Sequence, residues 1–407
     1  MKIPCKVFYL LIAIFLIAGI AHVNAQGFSI SGRSLIDGNG NTFKIRGIAH
    51  AHCWYTDRTN QALSDIKAVG ANCVRVVCSN GREGWTRTTA SDLTNIINTC
   101  KSNSLIAMLE LHDTTGYGEK SEACSLSSAV SYWNGVKSAL QGQEAYVLIN
   151  IGNEPYGNNN AGNWVNDTKS AIQSMRNNGF THTLVVDAGN WGQDWEFYMR
   201  DNAQSVFDAD SRKNTLLSVH MYEVFDTASE IQSYIDNFRS KNLPLIVGEF
   251  GWKHSGGDVD EGTIMSYTQS QGVGWVAWSW CGNSGGVEYL DLVNNWDRNS
   301  PSYDWGRIVF TGSNGLSSTS SECTIFSGQQ PTNPPTQTNP PTGNLGDVNS
   351  DGQINIVDAL LVAQYYVGLN PSNFNTNNAD TNCDGSINIV DALLIAQYYV
   401  GLIDHFC

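Results

Sequence analysis

Between residues 27 and 326 the chain repeatedly alternates short runs rich in valine, isoleucine and leucine with longer stretches of helical periodicity. Eight such runs fall near 43–48, 72–77, 105–111, 146–151, 183–187, 215–220, 243–248 and 273–278. Helical segments between them span 60–69, 91–103, 125–140, 161–179, 227–240 and 261–271. Ser91-Asp92 and the stretch 227–230 carry N-cap chemistry, and Gly70 and Asn178-Gly179 read as helix stops. Strands joined by helical crossovers run parallel, so the choice lies between a closed (β/α)8 TIM barrel and an open doubly wound sheet. Eight units predict the closed barrel, an α/β fold. A hairpin containing residues 37–40 is expected ahead of the first barrel strand.

Two of the runs end in glutamate. Asn153-Glu154-Pro155 closes the run at 146–151, and Gly248-Glu249-Phe250 closes the run at 244–247. In one parallel barrel both carboxylates reach the same mouth. Two carboxyl groups facing each other across a sugar are the minimum equipment for cleaving a glycosidic bond.

A length of 407 residues suits one large barrel plus a small module. The start reads as a secretory signal peptide over 1–25, with Lys2 and Lys6, an apolar stretch at 7–21 and the small-residue site Val23-Asn24-Ala25. An uncleaved anchor is the alternative, but the stretch is short for a span. The expected product is a secreted, extracellular protein with no membrane contact after cleavage. A net charge of −15 argues against a nucleic-acid partner. About half of that excess comes from seven Asp after residue 344, a region with no Glu, Lys or Arg. Export permits disulfides. Of ten cysteines, Cys5 leaves with the signal; Cys53 with Cys281, and Cys383 with Cys407, are the plausible pairs.

Residues 327–343 are Pro-, Thr- and Asn-rich with almost nothing to bury, an extended linker. In the last segment, 344–407, a pattern recurs with a period of 33 residues: 347–358 returns as 380–391, and each copy runs into an amphipathic helix ended by glycine. A 12-residue calcium loop supplies oxygen from positions 1, 3, 5, 7, 9 and 12 and turns at a glycine in position 6. The first copy offers Asp347, Asn349, Asp351, the Gln353 carbonyl, Asn355 and Asp358; the second offers Asp380, Asn382, Asp384, the Ser386 carbonyl, Asn388 and Asp391. Gly352 and Gly385 occupy the turn. Two structural Ca2+ ions are therefore expected. With no helix entering the first loop and Asp at position 12 of both, the module resembles a type I dockerin. That family docks secreted enzymes onto the cohesin of a scaffold protein, and positions 10 and 11 help choose the cohesin. Those positions are Ile356-Val357 and Ile389-Val390, identical between copies.

The barrel resembles glycoside hydrolase family 5. Asn153-Glu154-Pro155 and Glu249 match, as do Arg75, His112-Asp113, His220-Met221-Tyr222 and Trp280 in Trp-Ser-Trp. The wording at 46–55, 110–117, 181–188, 248–251, 278–283 and 289–292 is similar to bacterial endo-β-1,4-mannanases of that family. The resemblance implies β-1,4-mannan, glucomannan or galactomannan as substrate, with an endo-β-1,4-glucanase as runner-up and a non-catalytic sugar-binding barrel as the alternative of another class. It implies Glu154 as acid then base, Glu249 as nucleophile, and no catalytic cofactor. Arg75 and Tyr222 would hold Glu249, Asn153 would meet the sugar 2-hydroxyl, and His112 and His220 would position sugar and carboxylates. Trp280 would offer a ring face to the pyranose. Trp54, Trp191 and Trp252 are candidates for extending the cleft, and His50 and His52 are secondary candidates in the mouth.

Overall fold

A computed structural model describes residues 27–254, 257–327, 345–369, 371–399, 402–403 and 405–406. The expected signal peptide, all of the linker but Ser327, and Cys407 lie outside the described residues. The chain divides into two compact units between Asn333 and Pro334, inside the expected linker.

The first unit begins with an antiparallel hairpin, β1 (Ser29–Ser31) and β2 (Ser34–Ile36). The hairpin turns at Gly32-Arg33. Residues 37–40 instead make the next turn, where Asp37 accepts from Asn39 and Asn41 and Ile36 bridges to Thr42. Then follow β3 (Arg46–His50), β4 (Cys73–Cys78), β5 (Ile106–Leu111), β6 (Val147–Asn150), β7 (Leu184–Asp187), β8 (Thr215–Met221) and β9 (Leu245–Phe250). A two-residue pair, β10 (Lys253–His254) and β11 (Gly257–Asp258), precedes the last strand, β12 (Gly274–Ala277). Strands β3 to β9 and β12 close into one parallel barrel, with β12 pairing β3. All eight expected runs became its staves, within a few residues of the expected bounds.

The side-chain period of two explains where the site sits. One apolar cluster fills the barrel with alternate residues: Ala49, Cys73, Ile106, Met108, Leu148, Val185, Leu216, Ile246 and Val276. Two residues further along the same faces stand Arg75, Glu110, Asn150, Asp187 and Ser218, all buried. The interior is thus apolar at the N-terminal ends and ionic at the C-terminal ends. The opposite strand faces pack against the helices in a larger cluster.

Helix bounds follow local signals. Thr227 caps Ala228–Ser240 in a capping box with Glu230, as the sequence implies. The second helix is capped by Thr89 with Asp92 rather than by Ser91, so it begins at Ala90. Among the described residues no helix is long and apolar enough to cross a membrane.

In the second unit two helices, Ile356–Tyr366 and Ile389–Tyr399, each follow one repeat loop. Val348, Ala359, Val362, Ala379, Ala392 and Ile395 form its core. Two stacked ring pairs echo each other, Tyr365 on Phe374 at 4.4 Å and Tyr398 on Phe406 at 4.8 Å.

Candidate active site

The barrel mouth brings Glu154 and Glu249 together. One oxygen of each, with a ring nitrogen of His220, lies within 4.8 Å of the others. Two backbone features achieve this. Strict alternation after Ile246 would turn Gly248 inward and Glu249 outward. A register shift intervenes: Val219 pairs with Val247, but His220 pairs with Glu249. The bulge re-aims Glu249 into the barrel. Gly248 is required there, because a Cβ would collide with the Ser218 hydroxyl. Glu154 sits at φ +39, a left-handed conformation that costs about 1–3 kcal/mol in a non-glycine residue. Its carbonyl accepts from Gly116 N–H at 3.0 Å, which ties the strained residue to the preceding loop.

Arg75 is the hub beneath the pair. It donates to Glu249 Oε1 at 2.5 Å, Asn153 Oδ1 at 2.7 Å, Asn150 Oδ1 at 2.9 Å and Asp187 Oδ2 at 3.1 Å. Glu110 lies 3.6 Å away. Burial works against its charge, but Glu110, Glu249 and Asp187 outweigh burial and hold it protonated. Tyr222 donates to Glu249 Oε2 at 3.0 Å. Burial pushes the Glu249 pKa up; His220 and Arg75 oppose this, and Glu154 adds to it, leaving it above the ordinary range. His220 Nδ1 lies 2.8 Å from Glu154 Oε1. Burial disfavours its charge, yet Glu249 and Asp187 raise its pKa to about 10.

A cavity of about 480 Å³ opens on one side of this centre, lined by Trp54, Tyr55, His112, Asn153, Glu154, Tyr222, Glu249 and Trp278. A second lobe of about 450 Å³ lies on the other, lined by Glu154, Asn158, Asn190, Trp191, Gln193, Trp195 and Tyr222. Glu154, Tyr222 and His254 border both.

Of the expected site residues, Arg75, His112, Asn153, Glu154, His220, Tyr222 and Glu249 converge on one centre. Trp54 and Trp191 line the two lobes. Trp280 does not: it is fully buried against Phe310, and Trp278 faces the cavity instead, 5.9 Å from the His112 ring and nearly parallel to it. The period of two that would put both rings on one face ends with the strand at Ala277. His50 and His52 are also buried, sharing the Thr59 hydroxyl at 3.0 and 2.7 Å. Burial keeps both neutral, at about 3 and 4, so they brace the loop that carries Trp54 rather than face a sugar. Trp252 lines a separate depression with Tyr289 and Tyr303. Cys53 and Cys281 are both buried free thiols, so the expected bridge is not formed. Cys383 is disulfide-bonded; its expected partner, Cys407, lies outside the described residues. Sequence reasoning missed Glu110, Asp187 and Trp278. The signal for the first two was a charged residue inside an otherwise apolar strand run.

The repeat loops fit a hard cation. Each presents only oxygen donors, and Gly352 and Gly385 adopt φ +87 and +83 at the sharp turn. Asp347 accepts from Asp351 and Gly352 N–H, and Asp380 does the same from Asp384 and Gly385. Asp358 gathers the N–H groups of Val348, Asn349 and Asn355; Asp391 gathers those of Thr381, Asn382 and Asn388. The two loops thus share one backbone pattern, with positions 1 and 12 anchored by the same relative N–H groups.

Residues 36–284 match the family model described as cellulase, glycosyl hydrolase family 5. The chain belongs to glycoside hydrolase family 5. It is 52% identical over 312 residues to a mannan endo-1,4-beta-mannosidase of Streptomyces lividans, covering 76% of this chain and 80% of that one. It is likewise 52% identical over 311 residues to the corresponding Cellvibrio japonicus enzyme, covering 76% and 72%. Among solved structures, a β-mannanase from Thermomonospora fusca superposes at TM-score 0.72 with 53% identity, covering 74% of this chain and all of that one. Residues 345–399 match the dockerin type I domain. The family 5 chain is thus a glycoside hydrolase carrying a type I dockerin.

Proposed function

We propose that the protein is a secreted endo-β-1,4-mannanase that cleaves mannan, glucomannan or galactomannan with retention, and that its dockerin attaches it to a cohesin-bearing scaffold. The observation that carries the mechanism is the approach of one oxygen of Glu154 to within 4.8 Å of one of Glu249, the close pairing that a retaining double displacement needs. The substrate rests on the mannanase relatives, one of them a Thermomonospora fusca β-mannanase solved as its mannohexaose complex.

Glu249, held by Arg75 and Tyr222, attacks the anomeric carbon as the glycosidic C–O bond breaks. Glu154 gives its proton to the departing oxygen. Glu154 then takes a proton from water, whose oxygen displaces Glu249 from the same carbon. Asn153 is gripped by Arg75 and donates to Thr115, so its amide is fixed for the sugar 2-hydroxyl. Glu154 borders both lobes and Glu249 only the larger. The glycone therefore occupies the lobe of Trp278, His112 and Trp54, and the leaving chain occupies that of Trp191 and Trp195. No step needs a metal.

The domain plan follows: signal peptide 1–25, catalytic barrel 27–326, linker 327–343, dockerin 344–407. Each loop of the dockerin would hold one Ca2+ through the residues named above, neutralising Asp that no Lys or Arg offsets in that segment. Ile356, Val357, Ile389 and Val390 are all about half exposed, as a cohesin-contacting surface requires. Product analysis of the full chain on mannan, glucomannan, galactomannan, xylan and cellulose tests the reading. Manno-oligosaccharides from internal cleavage support it, and cleavage of cellulose alone shifts it to an endo-glucanase.

A further inference from the structure

Asp187 belongs to no part of the mechanism above, yet it is 1% exposed at the heart of the site. It ends β7; its Oδ2 accepts from Arg75 Nη2 at 3.1 Å and lies 3.3 Å from His220 Nε2, a charge contact without hydrogen-bond alignment, while its Oδ1 accepts from Asn150 at 3.2 Å. The other nitrogen of the His220 ring faces Glu154 Oε1 at 2.8 Å and Glu249 Oε2 at 3.7 Å. An imidazole with a carboxylate at each nitrogen satisfies both only with a proton on each. We propose that Asp187 is a positioning residue for the acid/base group: it grips the far side of the His220 ring, keeps His220 a double donor aimed at Glu154 Oε1, and so leaves the other Glu154 oxygen to carry the transferable proton. The proposal rests on reading Glu154 as the acid/base.

The ring has no freedom to choose otherwise. The loop after β7 passes over it, and a Cβ on Gly192 would come 2.6 Å from His220 Cγ and Nδ1. Gly192 also accepts the His220 backbone N–H at 2.8 Å. The ionisable groups around the ring are Glu154, Glu249, Asp187 and Arg75, with Ser218 beside Asp187 on its own strand. The surroundings are strongly ionic: Arg75 and His220, whose pKa is raised to about 10, face Glu110, Asp187 and Glu249, and Glu154 at the junction of both lobes is the carboxyl placed to meet a leaving group. Asp187 itself is drawn down to about 2 against burial by His220 and Arg75, so it stays ionised throughout.

Asp187→Asn keeps the shape and removes the charge. His220 should then surrender one proton, and Glu154 should lose its fixed donor. The measurement compares kcat/KM of the full-length protein on mannohexaose and on 2,4-dinitrophenyl β-mannobioside, whose leaving group departs without protonation. Mannohexaose should fall about 10²-fold or more, the size of a general-acid contribution, and the dinitrophenyl substrate less than about tenfold. In 15N-histidine spectra, with His220 assigned by its absence in His220→Gln, the wild-type ring should remain doubly protonated at pH 8, and the ring in Asp187→Asn should not. Equal losses on the two substrates, no loss, or a selective loss with His220 still doubly protonated would each overturn the proposal. So would a wild-type His220 that is neutral at pH 7, a result that needs no variant. A wild type inactive on mannan but with a doubly protonated His220 would instead remove the functional reading and leave the Asp187–His220 pairing standing.

Discussion

In the barrel, Glu110, Asp187 and Glu249 are almost fully buried, and each lies beside a cation of its own chain, Arg75 or His220. In the C-terminal unit, Asp358 and Asp391 are equally buried, but no Lys or Arg occurs after residue 344. Backbone N–H groups gather around them instead. The barrel sets cations of its own beside its acids; on the proposed reading the small unit, with six core residues, would take a cation from outside. A large core can carry a buried ionic network because surrounding elements hold every partner in place. A small one reaches comparable order through metal ligation.

Removing the nucleophile should produce the largest effect. Glu249→Ala should lower kcat on mannan by at least about 10⁴-fold while the protein still binds mannohexaose. Turnover within about tenfold of wild type would take Glu249 out of the mechanism. Removing the hub tests whether the barrel truly balances itself. Arg75→Met takes the shared guanidinium from Glu249, Asp187 and Glu110 and should cost about 3–5 kcal/mol of barrel stability in denaturant unfolding. A loss below about 1 kcal/mol would mean that water, not Arg75, balances these acids.

Chelation sharpens the contrast from the other side. EDTA should abolish the helical signal and cooperative melting of the C-terminal unit, read as loss of one of two transitions in the full chain, and leave mannan hydrolysis unchanged. Two unchanged transitions would contradict metal dependence. The pH profile is a milder probe. Because Glu249 must be ionised and its pKa is raised, activity should disappear as pH falls through a value above the ordinary glutamate value of about 4.3. An acid limb at or below that value would contradict the buried setting. The smallest effect should come from Trp278→Ala, which removes one ring of the glycone lobe. Affinity for mannohexaose should weaken by about 0.5–1.5 kcal/mol, and Trp280→Ala should act on stability rather than affinity.

The staves of the barrel were legible because each is a short β-branched run, and the carboxylates because each closes one. What escaped depended on distant partners. The helix Tyr198–Ala209 has no local cap: Phe197 precedes it at φ 62, and Asp194 accepts from Met199 and Arg200 N–H across the turn while bonded to Tyr234. Trp278 and Trp280 are separated by one residue, and the end of the strand at Ala277 with the packing of Trp280 on Phe310 makes one of them core. Glu110 and Asp187 stood in plain view as charges within apolar strands. Their role becomes visible only when the closed barrel sets them against Arg75, from another strand. The bulge that turns Glu249 inward left a trace in Gly248, but no local pattern distinguishes that glycine from an ordinary one.

On the proposed mechanism two carboxyl groups work at one anomeric carbon from opposite sides of the bond. Following the first minutes of mannohexaose hydrolysis by proton NMR reads this directly. The new reducing ends should appear first as the β-anomer and only later mutarotate, as double displacement requires. Initial release of the α-anomer would mean a single displacement by water, and the Glu154–Glu249 pair would then not act as described.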